Sequence, residues 1–285
     1  MDLYSQTFAR NLGIITEAEQ ERLRRSRIAI AGMGGVGGYH LTTLARMGIG
    51  KFRIADADRF ELANINRQYG ATRESLGRKK VDVMREIALS INPEIEIETF
   101  PALSLENIAR FLDDADLAID GIDFFAVDDK RLLFRESRSR SVPVITAGPL
   151  GFGAILIVFS PQGMLFDEYF GLSDALEADE KIAAFASGIA PKGLHLSYMD
   201  LSRVDLKAGT GPALASACAL CAAMAGAESL NILLDKSPIW PAPYYFQFDP
   251  FRKIFKKGYL FLGGRNPLQR LKRRILLKRL RGTAA

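Results

Sequence analysis

The stretch RIAIAGMGGVGGYHLTTLARMGIGKFRIADADRFELANINRQ, Arg27 to Gln68, constrains the fold more than any other part of the chain. An apolar run, Ile28 to Ala31, ends on a glycine cluster, Gly32, Gly34, Gly35, Gly37 and Gly38, and a helical pattern follows from Tyr39 to Met47. Strand, glycine turn and helix in that order make a phosphate cradle. The glycines let the backbone turn tightly and approach a ligand, and the helix N-terminus offers unpaired N–H groups and partial positive charge. A second strand, Phe52 to Ala55, delivers Asp56, whose carboxylate suits two ribose hydroxyls. The chain reads as a nucleotide binder. A glycine loop alone does not choose among NAD, FAD, S-adenosylmethionine and ATP.

The continuation narrows the choice. Asp56-Ala-Asp58 is followed by Asn64-Ile-Asn66-Arg67-Gln68, and Lys80 stands thirteen residues beyond the arginine. Taken together these motifs resemble the ThiF/MoeB/ubiquitin-activating family, which adenylates carboxylates with ATP, and the match runs from about Arg10 to Phe159. The resemblance implies an α/β fold, a doubly wound, Rossmann-like, mostly parallel sheet of the ThiF/MoeB type with a C-terminal extension. It implies ATP and Mg as cofactors, held by Gly32, Gly34, Gly35, Gly37, Asp56, Asp58, Asn64, Arg67, Gln68 and Lys80, with Asp123 of the DGIDF segment as the magnesium ligand. It also implies a homodimer in which Arg10, from Phe8-Ala-Arg-Asn11, reaches into the partner's site.

The residue types suit that chemistry. A carboxylate attacking the α-phosphorus of ATP brings two anions together, so the protein must supply positioning and fixed positive charge. Arg67 offers a planar fork and Lys80 a point charge. Each has a structural alternative: an ion pair from Arg67 to Asp58 or Glu61, a solvated lysine beside Arg78 and Lys79, a helix cap at Asp123, and an Asn64 that orders its loop. Phe124 departs from the family, which commonly has Asn after this aspartate.

Further elements follow by periodicity: helices over Thr16–Arg25, Leu76–Ile91, Leu105–Leu112, Ala126–Ser139 and Glu177–Ala186, and strands over Ile95–Thr99, Leu117–Ile119, Val142–Thr146 and Ile155–Phe159, with a last one near Tyr244–Phe248. The Ile/Glu alternation of Ile95–Thr99 places it near a sheet edge. Alternating strands and helices predict a parallel sheet whose ligand sits beyond the strands' carboxyl ends, where the glycine loop, Asp56 and the pair Asp120/Asp123 converge. Met164 to Asp174 is expected as a segment crossing over the site, with Asp167, Glu168 and Tyr169 either touching substrate or packing on the sheet. His40 and His195, the two histidines, have no partners suggesting catalysis.

Ala208 to Ala227 is uncharged but rich in Ala, Gly and Ser, so it is expected as a core helix and not a membrane span. Its Cys218 and Cys221 are the only cysteines; they form neither a zinc site nor a disulfide framework and fit a reducing, cytoplasmic setting. The net charge of +5 is divided: no acidic residue follows Asp249, and Arg252 to Arg281 holds twelve lysines and arginines, which subtracted from +5 leave −7 for the rest. The expected organisation is an ATP-binding adenylyltransferase domain over 1–251 and a basic amphipathic tail over 252–285. From Asn266-Pro267 the tail predicts a helix with Leu268, Leu271, Ile275, Leu276 and Leu280 on its apolar face. That helix suits an anionic membrane surface, tRNA phosphates, an acidic partner or the chain's own acidic body.

The activity so implied is ATP-dependent activation of a carboxylate, the C-terminus of a ubiquitin-like or sulfur-carrier protein or a small acid, as an acyl-adenylate with release of pyrophosphate. Alternatives are an enzyme resembling the tRNA threonylcarbamoyladenosine dehydratases, a non-catalytic nucleotide-binding partner subunit, and an NAD-dependent oxidoreductase.

Overall fold

A computed structural model describes residues 2–205 and 208–282, the side chain of Leu280 excepted. Helices α1 (Leu3–Thr7) and α2 (Glu17–Arg25) lead into β1 (Arg27–Ala31), α3 (Gly37–Arg46), β2 (Lys51–Ala55), α4 (Lys80–Ile91) and β3 (Glu96–Phe100). Then come α5 (Ile108–Leu112), β4 (Leu117–Asp120), α6 (Val127–Ser139), β5 (Val144–Leu150), β6 (Gly153–Phe159), α7 (Phe166–Phe170) and α8 (Ala178–Ile189). The chain ends with α9 (Ala215–Leu234), β7 (Tyr244–Asp249), β8 (Ile254–Tyr259) and α10 (Pro267–Gly282). The expected capping box of α2 is present, with Thr16 and Glu19 exchanging side-chain and backbone bonds.

One sheet runs β3-β2-β1-β4-β5-β6-β7-β8. The first five strands in that order are mutually parallel, and β6, β7 and β8 add antiparallel pairings. Alternation along each strand feeds two cores. Ile28, Ile30, Leu117, Ile119 and Ile145 join α3, α4 and α9 on one face, and Ala29, Ala31, Ala118 and Val144 join α5, α6, α7 and α8 on the other. The order reverses between β1 and β4, so a crevice opens beyond their carboxyl ends. As expected, β3 is an edge strand, its Glu96 and Glu98 pairing with Lys51 and Arg53 of β2.

Helix α9 has the length and apolarity to cross a membrane, yet it packs between α3 and strands β5 and β6, with Cys218, Cys221, Ala222 and Ala225 buried. It is a core helix. Residues 254–259 form β8 against β7, so the boundary expected at 251/252 falls inside the sheet. Beyond it α10 begins at Pro267 as anticipated, and docks on α8 with Arg281 paired to Asp179.

His40 of α3 is enclosed, and neither ring nitrogen has a partner among the described residues. Burial pushes its pKa from 6.5 down to about 4. Between those values the unfolded chain binds a proton that the folded chain refuses, so stability falls as pH drops through this window, by about 3 kcal/mol in full. His40→Leu is expected to flatten the difference in unfolding free energy between pH 7 and pH 4.5, measured by denaturant titration; an unchanged pH dependence would place the proton uptake elsewhere.

Candidate active site

The glycine loop is pinched by backbone on two sides. Gly32 takes φ +90°, and a Cβ there would collide with Gly121 O; a Cβ on Gly37 would collide with Gly32 O. Only glycine permits this packing. Helix α3 then starts without any side-chain cap at Val36, so its first N–H groups face the crevice unpaired by a capping side chain. Asp56, at the end of β2, fastens the loop from the side: Oδ2 accepts Met33 N–H at 2.7 Å and Oδ1 accepts Asp58 N–H at 2.8 Å. Each oxygen retains a lone pair for a ribose hydroxyl.

The NxNRQ segment closes against the same loop. Arg67 Nε lies 4.0 Å from where a Gly35 Cβ would stand, and Gln68 Nε2 lies 3.7 Å from the corresponding position at Gly34. Arg67 makes no ion pair with Asp58 or Glu61; its Nη1 donates to Ala63 O and to Asn66 Oδ1, both at 3.0 Å. Gln68 is buried and its Oε1 has no partner among the described residues, an open acceptor under the cradle. Asn64 orders its own loop: its side chain accepts Glu61 N–H at 3.0 Å in a reciprocal box. Lys80 Nζ is held 2.8 Å from Asp58 Oδ2, with the lysine side chain 7% exposed and the aspartate 70%.

On the opposite wall the two aspartates after β4 separate in role. Asp120 is buried and filled: Lys130 Nζ donates to both oxygens at 2.8 and 3.0 Å, and Thr146 Oγ1 donates at 2.8 Å. Lys130 also donates to Ile122 O at 2.8 Å, which ties down the turn carrying Asp123. Asp123 is exposed; Oδ1 accepts Phe125 N–H at 2.9 Å, and Oδ2 makes no bond among the described residues. Phe124 packs edge-on against Phe125 and Phe185 and forms an apolar wall. Sequence reasoning missed Lys130, because a lysine within Asp128-Asp129-Lys130-Arg131 reads as solvated.

The segment crossing the site is not Met164–Asp174. Because β6 runs back antiparallel, with Phe159 opposite Val144 at the start of β5, it carries the chain to the amino-terminal end of the parallel strands, away from the crevice. There Asp167 pairs with Arg131 at 2.8 and 2.9 Å, Glu168 accepts Leu165 N–H, and Tyr169 is fully buried. These three residues are structural. The crossing is instead made by the chain after α8: Tyr198 abuts Gly151, Gly209 lies beside the Phe125 ring, and Ala213 O accepts Asn66 Nδ2 at 3.1 Å. It leads into α9, whose Cys218 Sγ lies 3.4 Å from where a Gly35 Cβ would stand, on the same side as Arg67.

Arg10 is absent from this crevice. Asn11 beside it donates to Met47 O at 3.3 Å, at the end of α3 opposite the glycine loop, and ten helical residues separate the two by about 15 Å.

Residues 8–260 match the ThiF family. The chain belongs to the ThiF family. Among curated relatives it is 34% identical over 142 residues to the tRNA threonylcarbamoyladenosine dehydratase of Bacillus subtilis, covering 49% of this chain and 55% of the relative. It is also 34% identical over 137 residues to the sulfur carrier protein adenylyltransferase of Thermus thermophilus, covering 48% of each. The chain thus spans about half the length of the curated relatives it matches. Among solved structures, E. coli tRNA N6-threonylcarbamoyladenosine dehydratase in complex with ATP superposes with a TM-score of 0.61 at 22% identity, over 83% of this chain and 97% of that one. That likeness shows the shared ThiF-type fold.

The residues present fit ATP. The helix N-terminus has no side-chain cap, and it follows a glycine turn so tight that a Cβ at Gly32 or Gly37 would meet backbone. They fit magnesium as well, since that ion keeps most of its shell as water and phosphate and needs few carboxylates, here Asp123.

Proposed function

We propose that this ThiF-family chain is an ATP-dependent adenylyltransferase that activates a carboxylate. The observation that supports the reading is Arg67 beside Gly35 of the glycine loop, with Lys80 paired to Asp58 two residues beyond Asp56, and Asp123 two residues beyond Gly121, which meets Gly32. A substrate carboxylate oxygen attacks the α-phosphorus, the bond to the bridging oxygen breaks, and pyrophosphate leaves with the acyl-adenylate as product. Arg67 takes phosphate oxygens on the donors left free by Ala63 and Asn66. Lys80 exchanges its Asp58 partner for phosphate. Magnesium on Asp123, when bound, neutralises charge on the departing pyrophosphate.

No cysteine of this chain receives the acyl group in this reading. Cys218 and Cys221 are buried, and burial pushes the Cys218 thiol up to about 11, so the acyl-adenylate passes to an external nucleophile. The carboxylate we favour is the C-terminus of a ubiquitin-like or sulfur-carrier protein. A second reading, activation of threonylcarbamoyladenosine on tRNA, draws on the B. subtilis relative. ATP–pyrophosphate exchange separates them: a small carrier ending in Gly-Gly supports exchange in the first case, modified tRNA in the second. Exchange with neither sinks both.

The reading includes a homodimer with Arg10 acting in trans. Arg10→Ala and Arg67→Ala are each expected to be inactive, yet mixing them after subunit exchange should restore about a quarter of wild-type activity, because half the dimers are then hybrids with one intact site. No recovery on mixing would place Arg10 outside the reaction or within its own subunit's site.

A further inference from the structure

The two sides of α10 differ in what they touch. Where α10 packs on α8, Gln269 is buried, Lys272 donates to Pro191 O at 2.6 Å, and Arg273 donates to Gly171 O at 3.1 Å. On the other side Leu268, Leu271 and Ile275 stand one and two turns apart and remain 67%, 53% and 49% exposed. Asn266 joins this stripe to the preceding corner: its Oδ1 accepts Leu268 N–H at 2.9 Å, and its Nδ2 donates to Phe261 O at 3.1 Å. Phe261 is itself 62% exposed. The exposed cations Arg270, Arg274 and Lys278 run alongside.

Three aliphatic side chains and a phenyl ring open to water at one corner mark a surface that functions by being covered. The charge around them says by what. No Asp or Glu follows Asp249 in the sequence, while the rest of the chain is net negative, so the C-terminal segment is the part of the sequence whose net charge attracts an anion. A nucleic acid would satisfy the cations but leave the leucines idle, since branched aliphatics offer no planar face for a base. An apolar stripe bordered by lysine and arginine is what a helix lying in the headgroup layer presents.

We propose that the outward side of α10, with the Phe261 corner, is a docking face for an anionic phospholipid bilayer. Leu268, Leu271 and Ile275 enter the boundary between headgroups and acyl chains, and Arg270, Arg274 and Lys278 meet lipid phosphates. The inference stands apart from the adenylation reading, because none of these residues borders the crevice.

The test is sedimentation of the purified full chain with phosphatidylcholine vesicles containing about 30% phosphatidylserine, and with pure phosphatidylcholine, at low ionic strength. Binding to the anionic vesicles is expected, at least about tenfold weaker to the neutral ones and at high salt. Leu271→Glu/Ile275→Glu, both at exposed positions, should lose at least about tenfold with circular dichroism unchanged, and Arg274→Glu/Lys278→Glu should lose a similar amount. Three results would overturn the proposal: no binding to anionic vesicles, equal binding to neutral ones, or a Leu271→Glu/Ile275→Glu variant that binds like wild type. Binding of tRNA that displaces vesicles and ignores the Leu271/Ile275 change would also overturn it, and assign the cations to nucleic acid.

Discussion

Arg67→Ala is expected to lower ATP–pyrophosphate exchange by on the order of 10²–10³, with unfolding free energy changed by no more than about 0.5 kcal/mol. The guanidinium sits beside Gly35, and among the described residues it bonds only to a backbone carbonyl and a neighbouring amide at its own loop. Its removal therefore breaks no ion pair and empties no core. What disappears is a preorganised fork aimed at phosphate oxygens, which acts most strongly as charge develops on the leaving pyrophosphate. Arg67→Lys should recover only part of the loss, because an ammonium replaces the charge but not the paired donors. Exchange rates for the two variants beside a denaturant titration decide the point; a large stability loss in Arg67→Ala would make the residue structural.

Lys130→Met is expected to cost about 3–5 kcal/mol of stability, the typical result of stripping one partner from a buried ion pair. Asp120 is almost fully enclosed, and Lys130 supplies two of the bonds to its carboxylate as well as the bond that fixes Ile122 O. Methionine fills similar volume and leaves Asp120 with Thr146 and the Ile122 N–H alone. The double variant Lys130→Met/Asp120→Asn should recover much of the loss, since it removes the stranded charge. Urea titration of wild type, single and double variants measures this directly, and a double variant no more stable than the single would show that the charge was not the cause. Because the same lysine holds the turn bearing Asp123, the single variant should also bind magnesium-ATP more weakly.

The parts of this fold that were legible in the sequence are those where one physical signal acts alone. The strands β1 and β4 are short, mostly apolar runs buried on both faces, β2 is as buried but carries Arg53, and β3 betrays its edge position by alternating Ile with Glu. Strand β8 was not legible. It lies at the other edge of the sheet with Phe255, Lys256 and Lys257 all exposed, so burial imposes no alternation, and its cations read as part of a basic tail. Helix α4 begins at Lys80 and not at Leu76 because Gly77 takes φ +78° and breaks the periodic pattern before the helix starts.

The site divides in a similar way. Gly32, Asp56 and Asp123 follow β1, β2 and β4, so the parallel strands bring these positions to one end of the sheet, as their spacing predicts. The crossing segment was misplaced because its position depends on strand direction. Between β5 and β6 the connection is a tight turn at Gly151, φ +64°, too short for a crossover helix, and that reversal sends Met164–Asp174 away from the crevice. The loop-ordering role of Asn64 rests on a reciprocal bond with Glu61 that residue spacing alone does not specify.

Calorimetric titration with magnesium-ATP and, separately, with NAD, on wild type and on Lys80→Ala and Asp123→Ala, tests the central claim most directly. The proposed ATP site, with Lys80 and Asp123 as ligand contacts, predicts that ATP binds, that both variants weaken it, and that NAD gives no heat. Binding of NAD in place of ATP, or ATP binding untouched by either substitution, would contradict the assignment of this crevice to adenylyl transfer.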